Sequence, residues 1–295
     1  MPEKKSRRKR LALLFLAIVL FLVVLFLFLQ HVWPHRSQPF RPDYPQLELS
    51  GLLAGDNLTP SDYQTIYQQT GLGPAAVDDL LALGDAGVQQ ILDTQERFFL
   101  PPGDAPCRAM GFVTYEHRYR DESGRALAGV PLAPLREGDI LVSLSTHTLG
   151  WRHGHAGLVL DPDAGITLES VVLGSDSAQT KVSHWRTYST LLVLRPKDAT
   201  AAQRSAVVAF AEEHLDGIPY SLLSGIFGPK FQPVDASHNA QCAYLPWYAW
   251  MSQGFDLDGD GGRIVTPMDL TLGEVEIVQI CGIDPADYPL DFDGE

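Results

Sequence analysis

The sequence predicts an α+β fold built on a largely antiparallel sheet or half-barrel. Two observations predict it. From about residue 110 the apolar positions alternate with a period of two, in short runs that follow one another as hairpin strands do. Only two helical patterns interrupt those runs, and a small group of helices precedes them.

Taken in order, the chain opens on a basic tail. Residues 1–10 hold Lys4, Lys5, Arg7, Arg8, Lys9 and Arg10, six of the 22 Lys and Arg in the 295-residue chain, and one acid, Glu3. Leu11–Leu29 follows, nineteen apolar residues without a break. At ~1.5 Å rise per residue such a helix matches the ~30 Å hydrocarbon core of a bilayer. The run is longer than the apolar stretch of a secretory signal. Nor does Gln30-His31-Val32-Trp33-Pro34-His35-Arg36 contain a small-residue cleavage site. The expected element over 11–29 is an uncleaved single-pass anchor in the lipid bilayer. The positive-inside rule places residues 1–10 in the cytoplasm and the rest on the outer face. That rest carries 16 basic and 35 acidic residues, a net charge of −19. Such a body repels nucleic-acid phosphates, so no nucleic acid is expected as a partner.

Residues 30–55, with Pro34, Pro39, Pro42 and Pro45, read as a semi-extended linker. A helical N-terminal subdomain is expected over 56–105. Thr59-Pro60-Ser61-Asp62 supplies an N-cap, a proline at the first helical position and an acid at the third, with Gly71 as the stop. Pro74–Leu83 ends at Gly84, and Asp85 caps a third helix over Val88–Phe99. Strands are expected at Phe112–Tyr115, Asp139–Leu144, Ala156–Leu160, Ile166–Val172, Leu191–Leu194 and Glu274–Ile280. Helices are expected at Thr200–Leu215 and Ala243–Gln253. These elements make one domain over 106–283, followed by a solvated acidic tail, 284–295.

Chemistry concentrates at Cys242 and His155. Cys242 follows a polar loop and opens a helix with Tyr244, Leu245, Tyr248 and Met251 at helical spacing. Pro246 fits only where that helix has just begun. The thiol therefore sits at the positive end of the helix dipole, which favours the thiolate. The alternative is a small buried hydrophobe, the commoner fate of a free cysteine. A cysteine nucleophile needs a base, and an imidazole is the usual one. His155 opens the strand Ala156–Leu160, 87 residues before the cysteine. Glu169 lies on the next strand, suited to orient that imidazole and stabilise its charged form. The turn Asp161-Pro162-Asp163-Ala164-Gly165 decides whether it does. A three- or five-residue loop puts Glu169 on the face of His155, and a two- or four-residue loop puts it on the other, towards solvent.

Five pieces occur in order: Gly138-Asp139-Ile140-Leu141, His155-Ala156-Gly157-Leu158-Val159, Leu168-Glu169, Gly217-Ile218-Pro219-Tyr220, and Cys242 at a helix start. In these the chain resembles the YaeF/YiiX-type permuted papain-like amidases, relatives of the NlpC-type cell-wall peptidases, over about residues 136–282. The resemblance implies a circularly permuted papain-like (NlpC-type) domain, in which the histidine strand precedes the cysteine helix. It implies Cys242 as nucleophile, His155 as base, Glu169 as the residue orienting it, and Tyr220 as a residue lining the substrate site. The implied substrate is an amide in the cell envelope, either a wall peptide or a lipid-linked acyl amide. A thiol mechanism of this kind calls for no metal and no cofactor. At the nucleophile the chain departs from the family's usual Tyr-Cys-Ser and acid, reading Gln241-Cys242-Ala243-Tyr244.

Two other functions fit the residues. His153 and His155 are two apart, so a strand would point both to one face. With Asp161, His147 or His184 they could hold zinc and make a metal-dependent hydrolase. The fold could equally serve as a non-catalytic binding module. The three cysteines are an odd set, and Cys107–Cys281 is the disulfide that would leave Cys242 free; three reduced thiols are the alternative. Asp256-Leu257-Asp258-Gly259-Asp260-Gly261-Gly262 starts like a calcium loop, but its twelfth position is Pro267. It reads as a solvated Asp/Gly loop.

Overall fold

The computed structural model describes residues 2–36, 38–55, 57–106, 114–148, 151–222, 224, 229–231 and 239–292. Expectations for Cys107, for Phe112-Val113 and for the polar loop over 234–238 lie outside these residues. The helices are α1 (Pro2–Arg36), α2 (Ser50–Leu53), α3 (Pro60–Thr70), α4 (Pro74–Leu81), α5 (Asp85–Phe99), α6 (Ala201–His214), α7 (Tyr244–Met251) and α8 (Pro267–Leu270). The strands are β1 (Tyr115–Glu116), β2 (Ile140–Ser143), β3 (Thr146–Thr148), β4 (Trp151–Arg152), β5 (His155–Asp161), β6 (Ile166–Glu169), β7 (Ala178–Lys181), β8 (Leu191–Pro196) and β9 (Val275–Cys281). A 3-10 turn, Val182–Thr187, joins β7 towards β8.

The fold is α+β. Its main sheet runs β7-β6-β5-β2-β8-β9, antiparallel at every pairing and not closed into a barrel. A small second sheet, β1-β3-β4, lies apart from it. Neither face of the central strands β5, β2 and β8 is wet, while the edge strand β7 is exposed. Ile140, Val142, Ala156, Leu158, Leu192 and Leu194 share one core with α6 and α7. Their neighbours Leu141, Val159, Val193 and Val278 share a second core with Leu53, Ile66, Val77, Leu80 and Ile91 of the helices α2 to α5. Successive side chains of a strand point to opposite faces, so a run such as Ile140-Leu141-Val142 is apolar throughout. The N-terminal helices thus form a layer on the sheet.

Local chemistry accounts for the element ends. α3 starts at a capping box: the Thr59 N–H donates to Asp62 Oδ2 at 2.8 Å, and the Asp62 N–H donates back to Thr59 Oγ1. It stops at Gly71, which is left-handed at φ +73°, and a Cβ there would stand 2.2 Å from the Ile280 carbonyl oxygen of β9. Only glycine meets both demands. α5 begins at Asp85 itself, with Gly84 as its N-cap, because the left-handed Gly84 already ends the preceding turn. α7 begins two residues after Cys242, so the thiol occupies the turn leading into the helix. The strand expected over Ile166–Val172 ends at Glu169, and Val171 and Val172 are half exposed. The short polar strands β3, β4 and β7 have no apolar alternation that would announce them.

α1 is long and apolar enough over Lys9–Phe28 to cross a membrane, and none of that window is buried in the protein.

A buried ion pair ties the sheet to the loop before β2. Asp139 accepts N–H groups from Arg195 Nε and Nη2, both at 2.8 Å, and from the Arg136 backbone at 2.8 Å. Arg195 also faces Asp79 on α4, with 3.6 Å between Nη1 and Oδ2. Replacing Asp139 by Ala strands a buried guanidinium, so Asp139→Ala is expected to lose about 3–5 kcal/mol of unfolding free energy in a urea titration.

Candidate active site

The register of β5 on β6 builds the site. Gly157 lies opposite Glu169, and an irregularity between Val159 and Asp161 absorbs the hairpin turn. His155 is two residues before Gly157, so it and Glu169 share one face of the sheet. The His155 Nε2 atom lies 2.7 Å from Glu169 Oε2. Gly157 leaves the space between them open. A Cβ there would stand 2.9 Å from the Trp185 ring and 3.0 Å from Glu169 Cγ.

Glu169 is 1% exposed, and a buried carboxylate has to be hydrogen-bonded. Its Oε1 accepts Thr167 Oγ1–H at 2.6 Å, Thr180 Oγ1–H at 2.5 Å and Trp185 Nε1–H at 2.9 Å. Its Oε2 takes His155 and, at 3.3 Å, His184 Nε2. Burial opposes its charge, yet the hydrogen bonds from His155 and His184 hold the carboxyl well below the usual carboxylate range. The Trp185 ring stacks on His155, centroids 5.2 Å apart and planes at 12°. His155 is therefore fixed in position by an edge contact and a face contact.

With Nε2 on Glu169, the His155 ring has Nδ1 left for the thiol. Burial disfavours the imidazolium, but hydrogen bonds with Cys242 and then with Glu169 raise it from 6.5 to about 10. Cys242 is 6% exposed. Gln241 takes over the capping of α7: its Oε1 accepts the Ala243 N–H at 2.8 Å and its carbonyl the Tyr244 N–H at 3.1 Å. The Cys242 N–H plays no part in that cap. Burial and the Cys242 charge push the Tyr220 phenol up to about 12. Cys242, His155 and Tyr220 open onto a cavity of about 300 Å³, whose wall includes Val171, Val172 and the Arg118–Glu116 ion pair.

The structure thus brings together Cys242, His155, Glu169 and Tyr220. It does not assemble the zinc site. His153 precedes the turn at Gly154, outside β5, and its Nδ1–H donates to the Gly154 carbonyl at 2.7 Å. Asp161 ends the seven-residue strand that His155 begins, and His184 serves Glu169. His147 meets His117 edge-on, ring centroids 4.8 Å apart. Cys281 is buried in the second core, and burial pushes its thiol up to about 12.

Sequence reasoning missed Thr167, Thr180 and Trp185, and took His184 for a zinc ligand rather than a partner of Glu169. Thr167 carried a signal, since Thr-x-Glu on a strand puts both side chains on one face. Trp185 and His184 carried none, because the 3-10 turn brings them in from another part of the chain.

No family model matches the chain. No curated protein matches it either. Among solved structures, metalloprotein yiiX from Escherichia coli O157:H7 aligns at 14% identity with a TM-score of 0.38, over 49% of this chain and 97% of that one.

Two expectations follow. Gly157→Ala drives a methyl into Trp185 and Glu169. It should cost about 1–3 kcal/mol in thermal or urea unfolding and slow thiol labelling at Cys242. His155 is raised above its ordinary value, so its contribution to stability is complete below pH 6.5 and is lost as pH rises through about 10. Unfolding free energy of the native chain should fall across that window, with a shallower fall in Glu169→Gln.

Proposed function

We propose that this chain is a membrane-anchored cysteine hydrolase of the outer face, cleaving an amide of the cell envelope through Cys242, His155 and Glu169. The observation that carries the proposal is the His155 imidazole, held between a fully hydrogen-bonded buried carboxylate and a cysteine thiol that borders a cavity. His155 holds the thiol proton as an imidazolium, in keeping with its raised pKa, and the thiolate beside it attacks the amide carbon. The imidazolium returns that proton to the departing amine. Water, deprotonated in turn by His155, then cleaves the thioester and restores the thiol. In this mechanism the Cys242 N–H serves as the oxyanion donor. Tyr220 lines the cavity beside the thiol.

In this reading the chain carries a permuted papain-like domain over 106–283, with its histidine strand ahead of its cysteine helix. The helices over 56–105 are its N-terminal subdomain, 30–55 its tether and 284–295 its acidic tail. Residues 11–29 lie in the bilayer, with residues 1–10 cytoplasmic, as the basic tail favours. The substrate is a wall peptide or a lipid-linked acyl amide, both within reach of a tethered site.

Mass mapping after iodoacetamide treatment of the native chain tests the mechanism. Cys242 should take the label while buried Cys281 does not, and His155→Ala should slow labelling of Cys242 about a hundredfold at neutral pH. Equal labelling in the two proteins would sink the dyad. Amide hydrolysis that survives Cys242→Ala but stops with chelator would hand the chemistry to a metal.

A further inference from the structure

The stretch 256–262 plays no part in the thiol site, yet carboxylates gather there. Asp258, Asp260 and Asp269 each offer an oxygen within 4.8 Å of the others. Asp256 is not among them. Its Oδ1 accepts the Trp247 Nε1–H at 2.8 Å and the Asp258 N–H at 3.1 Å, so it pins the loop to α7. Counted from Asp258, the three converging carboxylates occupy positions 1, 3 and 12 of a twelve-residue loop, which are ligand positions of a calcium loop. Counting from Asp256 puts Pro267 at position 12; the fold moves the frame by two residues and puts Asp269 there. Asp269 is held ready by the α8 cap, its Oδ2 accepting the Thr266 N–H at 2.7 Å.

Asp258 supplies an observation independent of the clustering. The loop is not simply solvated there: the Asp258 side chain has 0% exposure, its Oδ1 accepts no hydrogen bond, and its Oδ2 meets the Lys230 ammonium. A carboxylate offers about four lone-pair sites, and burying them unfilled is strongly disfavoured, so such a group calls for a cation. Among the described residues, the Lys230 ammonium ion-pairs with Asp258 Oδ2 and lies 5.0 Å from the Trp247 ring centroid. One ammonium thus ion-pairs within a group of three carboxylates among the described residues. A divalent cation adds positive charge and fills the Asp258 Oδ1 lone pairs, which no hydrogen bond reaches. The donors are all oxygens, which suit Ca²⁺ rather than zinc.

We propose that Asp258, Asp260 and Asp269 form a Ca²⁺ site, for which the Lys230 ammonium is the built-in competitor. Ion and ammonium exclude one another, so the side chain of Lys230 leaves when Ca²⁺ enters.

The test uses the full chain in detergent micelles, with Ca²⁺ alone as the probe and terbium as a reporter excited through Trp247. Ca²⁺ should raise Tm and displace terbium, while Mg²⁺ at equal concentration does less. Asp260 is exposed, so Asp260→Asn should fold and weaken Ca²⁺ binding about tenfold or more, in line with the dependence of such sites on ligand charge. Lys230→Met should tighten binding. The proposal is overturned if Ca²⁺ up to about 5 mM, above the ~0.1–1 mM range of extracellular calcium modules, shifts neither Tm nor terbium emission. Undiminished binding by Asp260→Asn overturns it as well. Weaker binding by Lys230→Met overturns the competition.

Discussion

One buried carboxylate organises the site. Glu169 is out of contact with water, and a charge there persists only if its lone pairs are filled. The donors come from β5, β6, β7 and the 3-10 turn, so a single side chain draws four segments to one place. Everything nearby follows from that demand. Gly157 must lack a side chain, Trp185 must lie flat on His155, and the edge strand β7 must pair with β6 to deliver Thr180. A carboxylate so fully bonded is also rigid, and rigidity is what a catalytic imidazole needs from its neighbour.

The second constraint is that the central strands of the sheet have two dry faces. One core packs α6 and α7, the other packs α2 to α5, and Cys242 and His155 approach from opposite sides. They can meet only at a strand end. His155 is the first residue of β5 and Cys242 lies in the turn before α7, so both stand where the layers open to the cavity. Had the histidine been two residues further along, its ring would have been enclosed between the layers.

Much of this was legible. The capping box at Thr59, the stop at Gly71 and the two-residue alternation of the main strands are local matters, settled within a few residues by sterics and hydrogen bonding. The pairing of His155 with Glu169 was legible as a choice between two faces, and the hairpin register made that choice. Among the described residues His153 and His155 do not gather a third ligand, and Gly154 breaks the strand between them, which spacing alone does not reveal. The acidic loop was recognised with its frame two residues early, since nothing local shows that Trp247 claims Asp256.

By itself the sequence determined the apolar segment fit for a membrane, the α+β class, and the residue types available for thiol chemistry. These depend on composition and on periods of two and 3.6, which any short window contains. Only the tertiary structure decided that Glu169 points inward, that Trp185 and His184 join it, and that Asp269 rather than Pro267 closes the acidic loop. Those outcomes rest on contacts between segments far apart in the chain. They are set by which buried charges must be satisfied and which side chains leave room for them.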